Sequence, residues 1–274
     1  MAVVPEPSYP DLDRPQLSQA ALRAEMVRPG SLWSSLTVVE RTGSTNADLA
    51  QAVRDGVREG AVLVAESQYA GRGRLGRVWI APPRSGLTFS VLLRPEVRVA
   101  WQGWLPLLFG LAAATAIREA GEVDVRLKWP NDLLHDERKL AGILAERIDS
   151  AVVIGMGLNV SLRESELPVG HATSLALAGA VSLDRDRLLT GVLRHLERLY
   201  RDWCLAGGDA EASGLRAAYL AASATVGREV RVELPGERVL TGRATGISES
   251  GQLIVRSGGV DHPLSAGDVV HARL

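Results

Sequence analysis

Cysteine is all but missing from this chain: Cys204 is the lone thiol in 274 residues. Internal disulfides and thiolate metal clusters are excluded, and a reducing compartment is implied. A surplus of positive charge is missing as well. With 31 basic and 32 acidic side chains the formal net charge is -1, which excludes a general nucleic-acid binder, because polyanion binding demands a basic excess. The opening residues, Met1 to Pro7, hold no basic stretch followed by an apolar one, and no long uncharged apolar run occurs later. Neither a secretion signal nor a membrane span is expected, and the reading is a cytoplasmic protein. The nearest approach to a span, Trp101 to Ala120, is interrupted by Gly103, Pro106 and Gly110 and ends on Arg118 and Glu119. Leu107, Leu111 and Ala114 share one stripe of it, so it reads as a buried core helix. The histidines, His135, His171, His195, His262 and His271, are scattered without ligand spacing, and no metal site is assigned among them. Trp33, Trp101, Trp104 and Trp203 read as packing residues.

What is present is an ordinary globular composition, 46% hydrophobic and 23% charged, enough for a substantial core. Residues 1–36 read as a leader, proline-rich and disordered at first, with a short helix from about Gln16 to Met26. A mixed α/β domain is expected over 37–223. Its strands fall at 37–41, 61–67 and 87–93, and a helix over 44–53 has Ser44 or Thr45 as N-cap and Gly56 closing it. Further strands lie within 123–134 and 140–160, with connections at Pro130-Asn131-Asp132 and from His135 to Arg138; helices at about 185–205 and 209–222 close the domain. Over 224–274 the pattern shortens. Val230, Val232 and Leu234 face one way and Arg231 and Glu233 the other, with turns at Pro235-Gly236, Ser250-Gly251 and Ser257-Gly258-Gly259, which predicts a small β-barrel.

The chemistry concentrates in Gly71-Arg72-Gly73-Arg74-Leu75-Gly76-Arg77, a loop that packs guanidinium forks between glycines and so suits an anion. Its letters satisfy G-x-G-x-x-G after a strand, but the chain runs on through Val78-Trp79-Ile80-Ala81-Pro82-Pro83, and tandem prolines cannot open the helix a dinucleotide fingerprint requires. Four segments accompany it: Gly43-Ser44-Thr45-Asn46 at a helix start, Lys128-Trp129-Pro130-Asn131-Asp132, Lys139-Leu140-Ala141-Gly142-Ile143-Leu144, and Gly155-Met156-Gly157-Leu158-Asn159-Val160. Each has a plain reading alone. The first is an N-cap, the second a turn, the last close backbone packing in a strand.

Together with Gln68 and Trp79, these five motifs in this order resemble the bacterial biotin protein ligases, over roughly residues 37–274. The resemblance implies an α/β (α+β) catalytic domain of mixed sheet with surrounding helices, related to class II synthetase-like and lipoate ligase folds, and an SH3-like barrel behind it. It also implies a two-step reaction: biotin and ATP, carried as a Mg²⁺ complex, give biotinyl-5′-AMP and pyrophosphate, and the biotin then passes to a lysine of a biotin carboxyl carrier protein domain. Joining two anions calls for fixed cations. By resemblance Arg72, Gly73 and Arg74 contact biotin and its adenylate, within a loop completed by Gly71, Gly76 and Arg77. Lys139, with Gly142 and Ile143 in its segment, sits against the carboxylate and phosphate oxygens; Ser44, Thr45, Asn46 and Gln68 read the ureido group, and Trp79 stacks on adenine. Arg74, Lys139 and Asp132 form the catalytic set, Asp132 orienting the carrier lysine and helping remove its proton. Lys128 either contacts phosphate or braces the loop, and Asn131 and Asn159 bond either the nucleotide or the loop backbone. The loop over 68–79 is expected to order itself over the adenylate.

The residues before the first core strand are too few for the DNA-binding helix-turn-helix domain that makes some relatives repressors, so a ligase without repressor activity or specific nucleic-acid partner is expected, monomeric or weakly dimeric. The nearest alternative is a lipoate or octanoate ligase; a more distant one is a nucleic-acid-binding regulator that uses the arginine loop on phosphates.

Overall fold

The computed structural model describes residues 14–236 and 238–271. The disordered leader expected from the prolines therefore lies, over residues 1–13, outside the described residues.

A short helix, α1 (Gln19–Met26), precedes β1 (Ser35–Val39), α2 (Thr45–Arg54), β2 (Ala61–Ala65) and β3 (Gly86–Leu93). Then come the long apolar helix α3 (Leu105–Gly121) and the strands β4 (Arg126–Lys128), β5 (Asp132–His135), β6 (Arg138–Ile148) and β7 (Ala151–Asn159). Helices α4 (Arg185–Leu205) and α5 (Leu215–Ala222) follow. The seven strands form one sheet in the order β1-β2-β3-β7-β6-β5-β4. Only β1 and β2 are parallel, joined by α2 as the crossover; every other pair is antiparallel. The last five strands, β8 (Glu229–Leu234), β9 (Arg238–Ile247), β10 (Leu253–Ser257), β11 (Val260–Leu264) and β12 (Asp268–His271), make an antiparallel sheet ordered β11-β10-β9-β8-β12.

The sheet's two faces carry different residues, and the alternation along each strand decides which. Val62, Val64, Leu87, Phe89, Val91, Ile143, Ile154, Met156 and Leu158 point into the main core with α3 and α4. The opposite face takes the intervening positions. At one end of it Leu49 and Val53 of α2 cover Ala61, Leu92, Ala151 and Val153 in a second, smaller cluster. Beyond α2 the same face is floored by small residues, Thr88, Ser90, Gly142, Gly155 and Gly157, paired in two rows: Thr88 beside Gly157 beside Gly142, and Ser90 beside Gly155 beside Leu144. A strip of sheet without bulky side chains is a place for a ligand.

A buried ion pair fixes one border of this frame. Glu66 accepts from Arg185 Nη1 at 2.6 Å and from the Leu17 amide at 2.7 Å, while Arg185 donates onward to Pro15 O at 2.6 Å and Gly86 O at 3.1 Å. Removing either partner would strand the other charge in the interior, at a cost of about 3–5 kcal/mol.

Three elements differ from their sequence-based expectation. The stretch 140–160 is two strands, turned at Asp149-Ser150, where Asp149 takes φ 54. The stretch 123–134 turns at Trp129-Pro130-Asn131, one residue earlier than the expected connection at Pro130-Asn131-Asp132, so Asp132 opens β5. The helix expected from 209 begins only at Leu215, because Gly214 before it holds a φ of 73 that a right-handed helix cannot run through. The apolar helix starts later than expected, at Leu105, and is buried on more than its single stripe: from Leu105 to Gly121 nearly every side is covered, as befits a core helix between the sheet and α4.

Candidate functional site

A cavity of about 550 Å³ opens over the small-residue strip. Its near wall is the start of α2. Ser44 is the N-cap, its hydroxyl accepting from the Ala47 amide at 3.5 Å, and it presents Thr45 and Asn46, both buried, over the sheet. Gln68 lies beside them and accepts from the Thr45 amide at 2.7 Å. Gly155 makes this approach possible: a Cβ there would come within 2.1 Å of Asn46 Oδ1.

The arginine loop forms the roof. Arg74 to Gly76 is a single 3-10 turn in which Leu75 adopts φ 55, left-handed backbone that a branched-chain residue rarely takes. The Trp79 amide donates to Gly71 O at 2.9 Å and returns the chain to the cavity. There the Trp79 indole lies against the strip, where a Cβ on Gly157 would meet it at 2.2 Å. Lys139 Nζ sits 5.9 Å from the centre of that indole.

The far wall carries the charges. Lys139 Nζ is 2.7 Å from Asp132 Oδ1, the two meeting across the β5–β6 pair. Arg74 Nη1 donates to Asn131 Oδ1 at 3.1 Å and to Gly267 O at 3.3 Å. Burial pushes the Arg74 guanidinium below its ordinary value, Asp268 and Asp132 pull it back up, and Arg77 adds to the lowering. Asn131 also donates to Ile143 O at 2.8 Å, so it braces Arg74 against β6. Asn159 donates to Thr173 O at 2.9 Å, a structural bond made from a residue that also lines the cavity.

Nearly all of the residues singled out in the sequence converge here. Ser44, Thr45, Asn46, Gln68, Arg72, Gly73, Arg74, Arg77, Trp79, Lys128, Asn131, Asp132, Lys139, Gly142, Ile143 and Asn159 line one cavity. Gly71 and Gly76 do not. They belong to the outer side of the loop, along a shallower groove bounded by Leu144 and Glu146. The structure adds Thr88, whose exposure on the cavity face follows from its alternation with Leu87 and Phe89, and His171. It also adds residues of the last sheet, among them Glu233 and Asp268. Asp268 pairs with Arg77 and lies 3.9 Å from Arg74, and no local signal in the sequence marks it.

Among the described residues no three histidine, cysteine or carboxylate side chains group together as for a metal ion. The carboxylates that line the cavity are each ion-paired: Asp132 with Lys139, Asp268 with Arg77, Glu137 with Arg228, Glu233 with Arg231. Such a wall suits a divalent cation that arrives on a ligand's phosphates and needs few protein oxygens.

Comparison with known proteins bears on this arrangement. Residues 38–160 match the Biotin/lipoate A/B protein ligase family and residues 225–272 the Biotin protein ligase C terminal domain. The chain is 44% identical to a biotin–[acetyl-CoA-carboxylase] ligase of Mycobacterium tuberculosis, over 95% of this chain and 97% of that one. It is 33% identical to the bifunctional ligase/repressor BirA of Escherichia coli, over 86% of this chain and 73% of that protein. Among solved structures, the biotin protein ligase of Aquifex aeolicus in complex with biotin and ATP superposes with a TM-score of 0.73 at 30% identity, covering 88% of this chain and all of that one.

Proposed function

The chain belongs to the biotin protein ligase family, and from that premise we propose how its residues divide the work of activating biotin with ATP and passing it to a carboxylase's carrier domain. The observation that carries this reading is the convergence, over one strip of small residues, of a polar end at Thr45, Asn46 and Gln68 and a cationic end at Arg74 and Lys139. A ligand with a ureido head and a carboxylate tail is complementary to both. The buried head needs donors and acceptors, which amide and hydroxyl side chains supply. The tail must approach the α-phosphate of ATP, and Arg72, Arg74 and Lys139 offset the charge that gathers as the bond forms, each such donor contributing about 10²–10³ in rate. Trp79 offers its face to adenine. Mg²⁺ travels with the nucleotide, and pyrophosphate leaves.

The second step needs a neutral carrier lysine. Asp132, paired with Lys139 at 2.7 Å, receives that lysine's ammonium and proton in this reading. Because the two are paired, Asp132→Asn disturbs both half-reactions. Transfer to the carrier should fall by about 10²-fold or more, the usual worth of a general base, and adenylate synthesis by much less. The two are separated by scoring adenylate in single turnover and biotin on the carrier lysine by mass spectrometry. Equal losses in the two steps would remove Asp132 from the transfer chemistry. The reading is of an enzyme working in the reducing cytoplasm, its one thiol half-buried.

A further inference from the structure

The polar end of the cavity contains more hydrogen-bond contacts than it has protons to fill, and counting them fixes their direction. Ser90 Oγ lies 2.6 Å from Asn46 Oδ1 and 2.7 Å from Thr45 Oγ1, and a hydroxyl has one proton to give. The Asn46 amide is oriented from its other side: its Nδ2 donates to Glu146 Oε2 at 2.7 Å and to Leu144 O at 3.2 Å. The atom facing Ser90 is therefore the amide oxygen, which can only accept. Ser90 gives its proton to Asn46.

The hydroxyl pair at 2.7 Å then needs the proton of Thr45. If Thr45 instead donated to Gln68 Oε1, 3.1 Å away, two oxygens would be left in close contact with no hydrogen between them, in a buried place where an unmade bond is costly. Thr45 thus turns its only proton into the wall, and toward the ligand it shows lone pairs alone. Gln68 Oε1 is occupied by the Thr45 amide at 2.7 Å, which leaves the Gln68 amino group on the side of Gly71. The Gln68 amino group thus faces the loop, and what the wall offers the ligand at this point is the Thr45 acceptor, the complement of a ring N–H.

Resting on the ligase reading above, we infer that Ser90 and Glu146, neither of which lines the cavity, are positioning residues that set the donor–acceptor polarity of the subsite for the cyclic urea. Glu146 holds the Asn46 amide, Asn46 holds the Ser90 hydroxyl, and Ser90 takes the proton of Thr45. The chain of bonds makes the site selective for a ligand that donates at Thr45.

The test uses biotin-dependent exchange of labelled pyrophosphate into ATP, with biotin and with the two isomeric cyclic carbamates in which one ring N–H is replaced by oxygen. The unaltered protein should prefer biotin over the carbamate that presents oxygen to Thr45 by about 100-fold, since a site built around a buried N–H rejects its absence strongly. In Ser90→Ala the Thr45 hydroxyl is free to turn its proton inward, and the preference should shrink to within about tenfold; the KM for biotin should rise about tenfold while kcat and the KM for ATP stay within about twofold. Glu146→Ala should relax the preference in the same way, by letting the amide flip, and Ser90→Thr, which keeps the hydroxyl, should retain it. A preference unchanged in both Ser90→Ala and Glu146→Ala would overturn the inference, as would losses spread evenly over kcat and both KM values. Absence of exchange with biotin in the unaltered protein would instead contradict the ligase reading itself.

Discussion

Glycine 155 and glycine 157 divide the site at the scale of single residues. A Cβ on Gly155 points at Asn46 and one on Gly157 at the Trp79 indole, at 2.1 and 2.2 Å, so each alanine must displace a different group of the cavity wall. Overpacking of this kind costs about 1–3 kcal/mol. Gly155→Ala should raise the KM for biotin by about tenfold with little effect on ATP, and Gly157→Ala, through Trp79, should act chiefly on the KM for ATP; steady-state kinetics with each substrate varied in turn separates the two. Identical profiles would mean that the two glycines serve backbone packing alone. Most residues of the site were legible in the sequence, because the charged and small residues stand in contiguous motifs. The supporting Ser90 was not, since a serine amid the apolar run Leu87 to Leu93 carries no signal until strand alternation sets it on the same face of the sheet as Thr88, behind Thr45.

Two elements, the arginine loop and the last strand, meet at the roof. Arg72, Leu75, Gly76, Arg77 and Val78 are exposed, while Asp268, at the start of β12, pairs with Arg77 and stands near Arg74. Trypsin should cut within 72–77 of the empty protein, more slowly with biotin and ATP present, and severalfold faster in Asp268→Ala; cleavage indifferent to both changes would refute a loop held at its two ends. The contact was illegible beforehand, because the sequence separates its partners by the whole domain and the barrel's alternation gives no hint of which edge faces the loop. A second contact between the same units titrates. Burial lowers the His271 imidazole from its ordinary 6.5, while its bond to Glu137 pulls it up and Lys128 pushes it down. The folded chain thus keeps the ring neutral where the unfolded chain would protonate it. This contribution to stability is fully present above pH 6.5 and is lost as the pH falls toward the folded value. The melting temperature should decline on acidification from pH about 7.5 to about 5.5, and His271→Gln should flatten the decline; an equally steep fall in that variant would exclude His271 as its source.

At the scale of the whole molecule the cavity is a product of two units docked by tryptophans. Trp104 Nε1 donates to Glu249 O at 2.8 Å and Trp129 Nε1 to Gly251 O at 3.2 Å, so the turn between β9 and β10 is fixed to the core helix and to the strand turn that presents Asn131 and Asp132. The order of elements and the separate barrel followed from hydrophobic periodicity and turn residues, and the mixed sheet from the family resemblance. Their closure around one ligand did not, because it rests on contacts between residues more than a hundred positions apart. The central claim is that this closure builds a site that adenylates biotin, and the most direct measurement is exchange of labelled pyrophosphate into ATP by the purified protein with magnesium, run with biotin, lipoate and octanoate side by side. The account predicts exchange with biotin and none with the two fatty acids. Exchange with lipoate or octanoate alone, or none with any acid from folded protein, would contradict it.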